Sequence, residues 1–454
     1  MLFQLPNFLI FFTVFVAGLL IMPRVIRMEY VLGASLFFYA WWYPPFLIVL
    51  LALIGLGWAG SHLVARDRRW LALTVLAALL PLLVFKYTDF ILETVDGVTG
   101  LHTPRTNWPL PLGISFVTFT IIALFIDVVR RKDVRPASLR DTALFISFFP
   151  QLIAGPILRS NDLVPQLPAI RFDFKAFSPY LALFTVGMIK KVMIADPIAT
   201  IVDRHYAAAG ATTGAEAAIA TLGFVTQIYC DFSAYSDMAL GLAGMLGVTL
   251  PENFRSPYRA TSMTEIWQRW HMTLSFWLRD YLFRPLHARL HHIARYLSIV
   301  VTMTISGLWH GASWTFVLWG SMLGCIMAVE GATGYSTAAR NARGAARWGF
   351  IAITLFIWYI TVVLFRAPDL GAAVDIYSGL LGLRGWGSWP EGATMVVGLT
   401  AVVLATHHLD QAPRIVAAAS RVPAALAIPI LLSITLACSI IAAGRPESFY
   451  YFDF

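Results

Sequence analysis

Apolar stretches close to the length of a membrane span recur along the whole chain. Several approach the ~20 residues that an α-helix needs to cross the hydrocarbon core of a bilayer. Only 13% of the residues are charged and 58% are hydrophobic, whereas soluble domains carry about twice that charged fraction. The sequence therefore predicts an all-α polytopic membrane protein. We expect about a dozen membrane helices, including re-entrant segments such as residues 145–157, in a single domain over residues 1–454.

Basic residues fall in alternate loops between the apolar stretches. They follow the first stretch at Arg24 and Arg27, and they cluster again at residues 66–69, 130–140, 340–347 and 414–421. Because short cytoplasmic loops are rich in Lys and Arg, this pattern predicts an N-terminus outside the cytoplasm. The stretch at residues 8–22 lacks a basic segment before it and a small-residue cleavage site after it, so we expect a retained span. The net charge of +8 then reports topology, and we expect no nucleic-acid partner.

His310 is an ionisable side chain inside a strongly apolar stretch, between Trp309 and Gly311. Apolar surroundings disfavour the charged form of imidazole and would leave a neutral ring with one nitrogen able to accept a proton. An ionisable group at membrane depth indicates a functional site, although a structural histidine hydrogen-bonded between two helices would give the same pattern. As a functional residue, His310 would be a general base, with Trp309 and Trp314 enclosing a water-poor slot.

The region at residues 252–295 interleaves arginines with aromatic residues at helical spacing. This pattern is typical of a helix lying at the cytoplasmic membrane interface, where the aromatic residues would be lipid anchors. A functional alternative is an electropositive vestibule for an anionic thioester donor. In that case His271 polarises the carbonyl or positions the donor, Trp270 and Asp280 support the site, and Arg279 binds a donor phosphate.

A second polar group lies in an apolar stretch at Asp231, Tyr235 and Asp237. Buried carboxylates need partners, and the nearby arginines or His271 are candidates. Two interpretations remain open at this point. The carboxylates orient a catalytic histidine, or they tie helices together.

Metal binding and a covalent cysteine intermediate are not expected. The i, i+4 spacing of His287 and His291, with His292 beside them, could suit a metal, but no glutamate completes a zinc motif and the segment is basic. The three cysteines, at positions 230, 325 and 438, are scattered among apolar residues and have no neighbouring base. We therefore expect no metal and no tightly bound cofactor.

Eight segments, in order along most of the chain, carry a resemblance to a known family. These segments are residues 110–116, 148–156, 190–196, 231–241, 250–258, 267–281, 306–320 and 449–454. The chain resembles the membrane-bound O-acyltransferase (MBOAT) superfamily, in the bacterial branch that contains the alginate O-acetylation membrane protein and the D-alanine exporter of teichoic acids. Each segment alone is a weak signal, and their number and order make the match specific.

The resemblance implies a funnel-shaped helical bundle with a central tunnel, in a bacterial inner membrane. It implies that His271 and His310 are the two signature histidines, with His310 catalytic. A thioester donor (acetyl-CoA or an acyl carrier) would react from the cytoplasm with an extracytoplasmic acceptor. The acceptor would be an exported polysaccharide such as alginate or cellulose.

The resemblance also implies partners, namely membrane lipids, a periplasmic SGNH-type acetyltransferase and a polysaccharide synthesis and export complex. Two alternatives remain open. The first is D-alanyl transfer toward a lipid-anchored polymer, which would require an acyl-carrier protein. The second is a non-catalytic transporter in which the histidines relay protons.

Overall fold

A computed structural model describes residues 1–131, 133–290, 294–444, 447, 449 and 450, and every regular element among them is helical. This confirms the predicted all-α class. The α-helices are α1 Pro6–Ile21, α2 Arg27–Ala40, α3 Phe46–Arg66, α4 Leu71–Leu82, α5 Thr88–Thr99, α6 Ile114–Arg130, α7 Leu139–Ser147, α8 Ser160–Leu163, α9 Phe174–Ile189, α10 Asp196–Ala207, α11 Gly214–Met245, α12 Met263–Trp267, α13 Met272–Trp277, α14 Arg284–Leu290, α15 Ala294–His310, α16 Trp314–Ala332, α17 Tyr335–Asn341, α18 Gly344–Arg366, α19 Leu370–Leu380, α20 Ala393–Thr406, α21 Ala412–Ala419 and α22 Ala424–Gly444.

Short helical segments of other types join some of these helices. Three are π-helical: Leu83–Tyr87, Lys190–Ala195 and Leu278–Phe283. Four are 3-10 helices: Arg68–Trp70, Val164–Ala169, Ala209–Ala211 and Pro257–Arg259. π-Helical turns are rare overall, but many of those that occur lie at functional sites. The segments at 190–195 and 278–283 therefore mark regions to examine for a site.

Several described helices have the length and apolar character of membrane spans, so the chain is a multi-pass membrane protein. Five segments are long enough to cross a bilayer: Phe46–Arg66, Arg68–Thr99, Trp314–Ala332, Gly344–Arg366 and Ala424–Gly444. Three shorter helices are also apolar: Pro6–Ile21, Leu370–Leu380 and Ala393–Thr406.

The chain folds into two compact units, whereas the sequence predicted one domain. The first unit comprises Met1–Met188, Tyr235–Glu252 and Val416–Phe454. Its core is rich in phenylalanine: the Phe149 ring lies 5.1 Å from that of Phe15 and 5.7 Å from that of Phe38. These rings join α1 and α2 to the segment that follows α7, and aromatic pairs of this kind stabilise beyond the area that they bury.

The predicted break after residue 145 is present in the first unit. Helix α7 ends at Ser147, and the chain continues through buried, non-helical residues to position 158. The Gln151 side chain donates to the carbonyl oxygen of Phe145 (3.0 Å), and the Phe149 amide donates to the Ser35 hydroxyl (3.3 Å). Non-helical backbone buried in protein needs such partners, and these bonds supply two of them.

The second unit comprises Ile189–Ala234 and Asn253–Ile415, and its central feature is the pair of helices α15 and α16. Glycines let their backbones approach: a Cβ added at Gly324 would lie 2.7 Å from the Cα of Val300, and one at Gly307 would lie 3.0 Å from the Cα of Gly320. Small residues at helix contacts are typical of membrane bundles. They set the position of the end of α15, which carries His310.

We expect Gly320→Ala to destabilise the second unit. The added methyl group would overlap the carbonyl oxygen of Met303, and overpacking of this kind costs about 1–3 kcal/mol. Thermal unfolding of the purified protein measures the effect. Gly349→Ala in α18 is the matched control, because nothing lies within 4 Å of its added Cβ. Equal stability of the two variants would contradict the proposed close contact.

Candidate active site

His310 is the last residue of α15, and aromatic rings surround its imidazole. Its side chain is buried, with 3% of the residue exposed. Its ring centroid lies 5.0 Å from that of Trp309, 5.4 Å from that of Trp319 and 5.3 Å from that of Phe365. Three large rings leave little room for water, so the imidazole lies in a pocket of low polarity.

Trp309 links the two histidines that the sequence singled out. Its ring centroid lies 5.0 Å from that of His310 and 6.0 Å from that of His271. The structure therefore brings His271, Trp309 and His310 together, although the histidines are 39 positions apart in the sequence. We call these three residues the histidine cluster.

Trp314 occupies a different environment. Half of its surface is accessible, 49%, so the expectation that it helps to enclose a water-poor slot is not met. Trp319, five residues further along α16, is buried, and its ring centroid lies 5.4 Å from that of His310. A helix repeats its face every three to four residues. The sequence therefore identified the helix that packs against His310, but Trp319 and not Trp314 lies on the face that contacts it.

His271 is fully buried and has an unusual backbone conformation. It precedes α13 with φ 44° and ψ 51°, in the left-handed region that side chains rarely adopt. Its Nδ1 lies 3.1 Å from Oδ1 of Asn253, and the Asn253 carbonyl oxygen accepts from the Met272 amide at 2.9 Å. Such strain persists only where neighbours hold it in place, and it concentrates at functional sites.

The contacts of Asn253 determine the tautomer of His271. Its Oδ1 accepts from the amide of Thr273 (3.3 Å) and from the hydroxyl of Thr273 (2.9 Å), which identifies this atom as the oxygen. Nδ1 of His271 must therefore donate its hydrogen to Oδ1. His271 lies outside the membrane-length helices, and burial lowers its pKa to about 3. A neutral ring with its hydrogen on Nδ1 presents Nε2 as an acceptor.

Three tryptophans of the 252–295 region belong to the core, contrary to the predicted interfacial helix. The region forms the short helices α12, α13 and α14 with a π-helical segment between the last two. Trp267, Trp270 and Trp277 are buried, and the Trp270 ring lies 5.2 Å from that of Trp358. These tryptophans pack within the second unit. They are therefore not anchors in lipid.

Arg279 is exposed and engages the residue beside it. Its Nε and Nη2 donate to the Asp280 carboxylate at 2.9 and 3.1 Å, and Arg284 also pairs with Asp280, at 2.9 Å. Asp280 therefore links two arginines along the π-helical segment. An anionic donor group would have to share Arg279 with this carboxylate, so its predicted role as a phosphate ligand remains a prediction.

The carboxylates near residue 231 have different surroundings. Asp231 pairs with the buried Lys191 at 2.7 Å, and Lys191 also pairs with Asp196 at 2.8 Å. Asp231 thus pairs with a lysine on a π-helical segment 40 positions earlier, a partner that the sequence did not predict. Tyr235 and Asp237 are buried in the first unit, where the Tyr235 ring lies 4.7 Å from that of Phe3.

The metal hypothesis falls partly outside the described residues, since His291 and His292 lie there. His287 stacks on Phe283, with ring centroids 5.6 Å apart. No group of three or more candidate metal ligands occurs among the residues that the structure describes.

Lys191→Met is expected to destabilise the second unit by about 3–5 kcal/mol, because it removes the cation that pairs with the buried Asp231 and the partly buried Asp196. Thermal unfolding of the purified variant checks this. The triple variant Lys191→Met, Asp196→Asn, Asp231→Asn removes the uncompensated charges and should recover part of the loss. If the triple variant were as unstable as the single one, the charge pairing would not be the cause.

Asn253 and Lys191 contact predicted site residues, but the sequence did not predict either contact. Both lie in segments that carry the family resemblance. A single asparagine or lysine in a sequence does not show whether its side chain will bond to a buried site residue or lie at the surface. Their position within segments that carry the family resemblance was the available signal.

Comparison with known proteins gives one family and several relatives. Residues 127–365 match the model of the membrane-bound O-acyltransferase family. The chain is 37% identical over 419 residues to a probable alginate O-acetylase AlgI of Azotobacter vinelandii, covering 89% of this chain and 82% of that protein. It is 34% identical to a peptidoglycan O-acetyltransferase of Helicobacter pylori, covering 78% and 73%. It is 26% identical to a teichoic acid D-alanyltransferase of Streptococcus thermophilus, covering 59% and 65%.

Proposed function

Because this chain belongs to the membrane-bound O-acyltransferase family and is an O-acyltransferase, we propose that it moves an acetyl group from a cytoplasmic thioester across the membrane for the O-acetylation of an exported polysaccharide such as alginate. The buried histidine cluster is the observation that carries this proposal, since it places two imidazoles around one tryptophan. The similarity to O-acetylases over most of the chain supports acetyl as the group transferred.

In the proposed reaction, His310 is the general base. It takes the proton of the acceptor hydroxyl while the hydroxyl oxygen attacks the thioester carbonyl. The carbon–sulfur bond then breaks, and the released thiolate takes up a proton. The aromatic rings around His310 exclude water, which would otherwise compete with the acceptor for the thioester.

His271 positions the acceptor in this proposal. With its hydrogen donated from Nδ1 to Asn253, its Nε2 accepts a hydrogen bond. Polarising a carbonyl would require a donor at that atom. The second histidine therefore suits a hydroxyl group better than a carbonyl oxygen.

The proposed setting is a bacterial inner membrane with the N-terminus in the periplasm, as the alternation of basic loops indicates. The thioester, acetyl-CoA or an acyl carrier, is then a substrate from the cytoplasm. A periplasmic SGNH-type acetyltransferase would complete delivery to the polysaccharide within a synthesis and export complex.

Ester analysis of exported polymers tests the proposal. Polysaccharide is isolated from a deletion strain and from the same strain carrying the wild-type gene, and the esters released by mild base are identified. Acetate that depends on the gene is the expected result. D-alanine released instead would replace acetyl transfer by D-alanyl transfer, and no change in esters would overturn the proposed acceptor.

A further inference from the structure

A cavity of about 380 Å³ lies in the first unit, and none of its lining residues belongs to the histidine cluster. Helices α1, α9, α11 and α22 line it with apolar side chains, including Phe12, Leu181, Leu242 and Leu432. The volume is within the range of small-molecule sites in proteins.

The two hydroxyl groups of the lining are already engaged in hydrogen bonds. Thr13 donates to the carbonyl oxygen of Leu9 at 2.8 Å, and the Thr435 hydroxyl shares a hydrogen bond with that of Thr185 at 2.9 Å. A ligand with polar groups would gain few partners within the cavity. The lining therefore fits a hydrocarbon chain.

The cavity follows the antiparallel pair α1 and α9. At one end the rings of Phe8 and Phe184 are 6.4 Å apart. The other end is lined by Phe172 and Phe177, near the beginning of α9. The lining residues thus cover about two helical turns of α1 and of α9, which gives room for part of an extended acyl chain.

Basic residues gather at the end near Phe172. Arg27 donates to the carbonyl oxygens of Ile170 and Met22, both at 3.4 Å, which joins the end of α1 to the segment before α9. We call the four basic residues at this end the basic rim; they are Arg24, Arg27, Arg171 and Lys175.

Nearby acidic groups do not neutralise the basic rim. The Asp173 carboxylate accepts from the amides of Lys175 (2.9 Å) and Ala176 (3.2 Å), as a helix cap does. Glu29 pairs with Arg140 at 2.9 Å. Positive charge therefore remains in excess beside the apolar cavity.

We propose that this cavity binds one acyl chain of an anionic membrane phospholipid, with the phosphate at the basic rim. Helix α22 has the length and composition of a membrane span. Its cavity-lining residues Leu432 and Leu436 lie near mid-helix and are 47% and 54% exposed, so the cavity wall continues into a lipid-facing surface. Juxtamembrane bases attract anionic headgroups. The proposal does not depend on the acyl-transfer reaction.

Native mass spectrometry of the purified full-length protein tests the proposal, with phosphatidylglycerol and phosphatidylethanolamine offered in parallel. We expect the wild type to retain one phosphatidylglycerol in preference to phosphatidylethanolamine. Arg171→Glu combined with Lys175→Glu should weaken phosphatidylglycerol binding about tenfold or more. Leu181→Trp, which fills the cavity, should abolish retention of both lipids.

The matched control is Arg68→Glu combined with Arg69→Glu, which reverses two exposed arginines of the same unit outside the basic rim. It should bind phosphatidylglycerol as the wild type does. If Leu181→Trp unfolds on heating earlier than the wild type, Leu242→Phe replaces it as the cavity-filling variant. Equal binding of the two lipids, no retention by the wild type, or full retention after the cavity is filled would overturn the proposal.

Discussion

Replacing His310 with alanine is expected to abolish measurable acyl transfer while the protein still accumulates in the membrane. A positioned general base contributes about 10²- to 10⁴-fold to the rate, and the rings of Trp309, Trp319 and Phe365 hold the His310 imidazole in position. The measurement is the ester content of the exported polysaccharide at matched membrane abundance.

Two further variants separate chemistry from packing at this position. His310→Gln keeps a polar side chain of similar length but cannot act as a base, and it should be as inactive as His310→Ala. His408→Ala is the control, because His408 is an exposed histidine of the same unit. Full acetylation by His310→Gln would refute the role of His310 as the base.

Removing the side chain of His271 is expected to lower acyl transfer about 10²-fold, the scale on which misplaced reacting groups act. The left-handed backbone at this position allows a sharper comparison. Glycine adopts φ 44° without strain, whereas alanine does not. We therefore expect His271→Gly to be more stable than His271→Ala on heating, and both to be equally inactive. Activity that followed stability would indicate a purely structural role.

The pH dependence of Asn253→Asp tests the assigned tautomer. In the wild type the pKa of His271 is about 3, so this residue causes no change in activity between about pH 5 and 8. A carboxylate beside Nδ1 would raise that pKa toward its ordinary value and favour the charged ring. Nε2 would then be protonated as the pH falls through the raised pKa, and activity should be lost on the acid side. An unchanged profile would contradict the contact between His271 and residue 253.

Sequence patterns identified two histidines that lie close together in the structure, but they described the surroundings of these histidines less accurately. Both signature histidines are buried and share contact with Trp309. In contrast, Trp314 is half exposed, and the tryptophans at 267, 270 and 277 are core residues where an interfacial helix was expected. Aromatic and basic residues at helical spacing give the same sequence pattern in a core helix and in an interfacial helix, so only the packing partners distinguish the two kinds of helix.

The sequence by itself determined the class of the protein and the identity of its principal residues. Apolar length is a local property that the bilayer thickness imposes on each span, and the family segments are contiguous runs that can be recognised one by one. Tertiary structure decided which residues contact the predicted site residues. Asp231 forms an ion pair with Lys191, His310 packs against the ring of Phe365, and His271 forms a hydrogen bond with Asn253. These contacts join distant parts of the chain, because helix packing and backbone hydrogen bonding determine them and residue spacing does not.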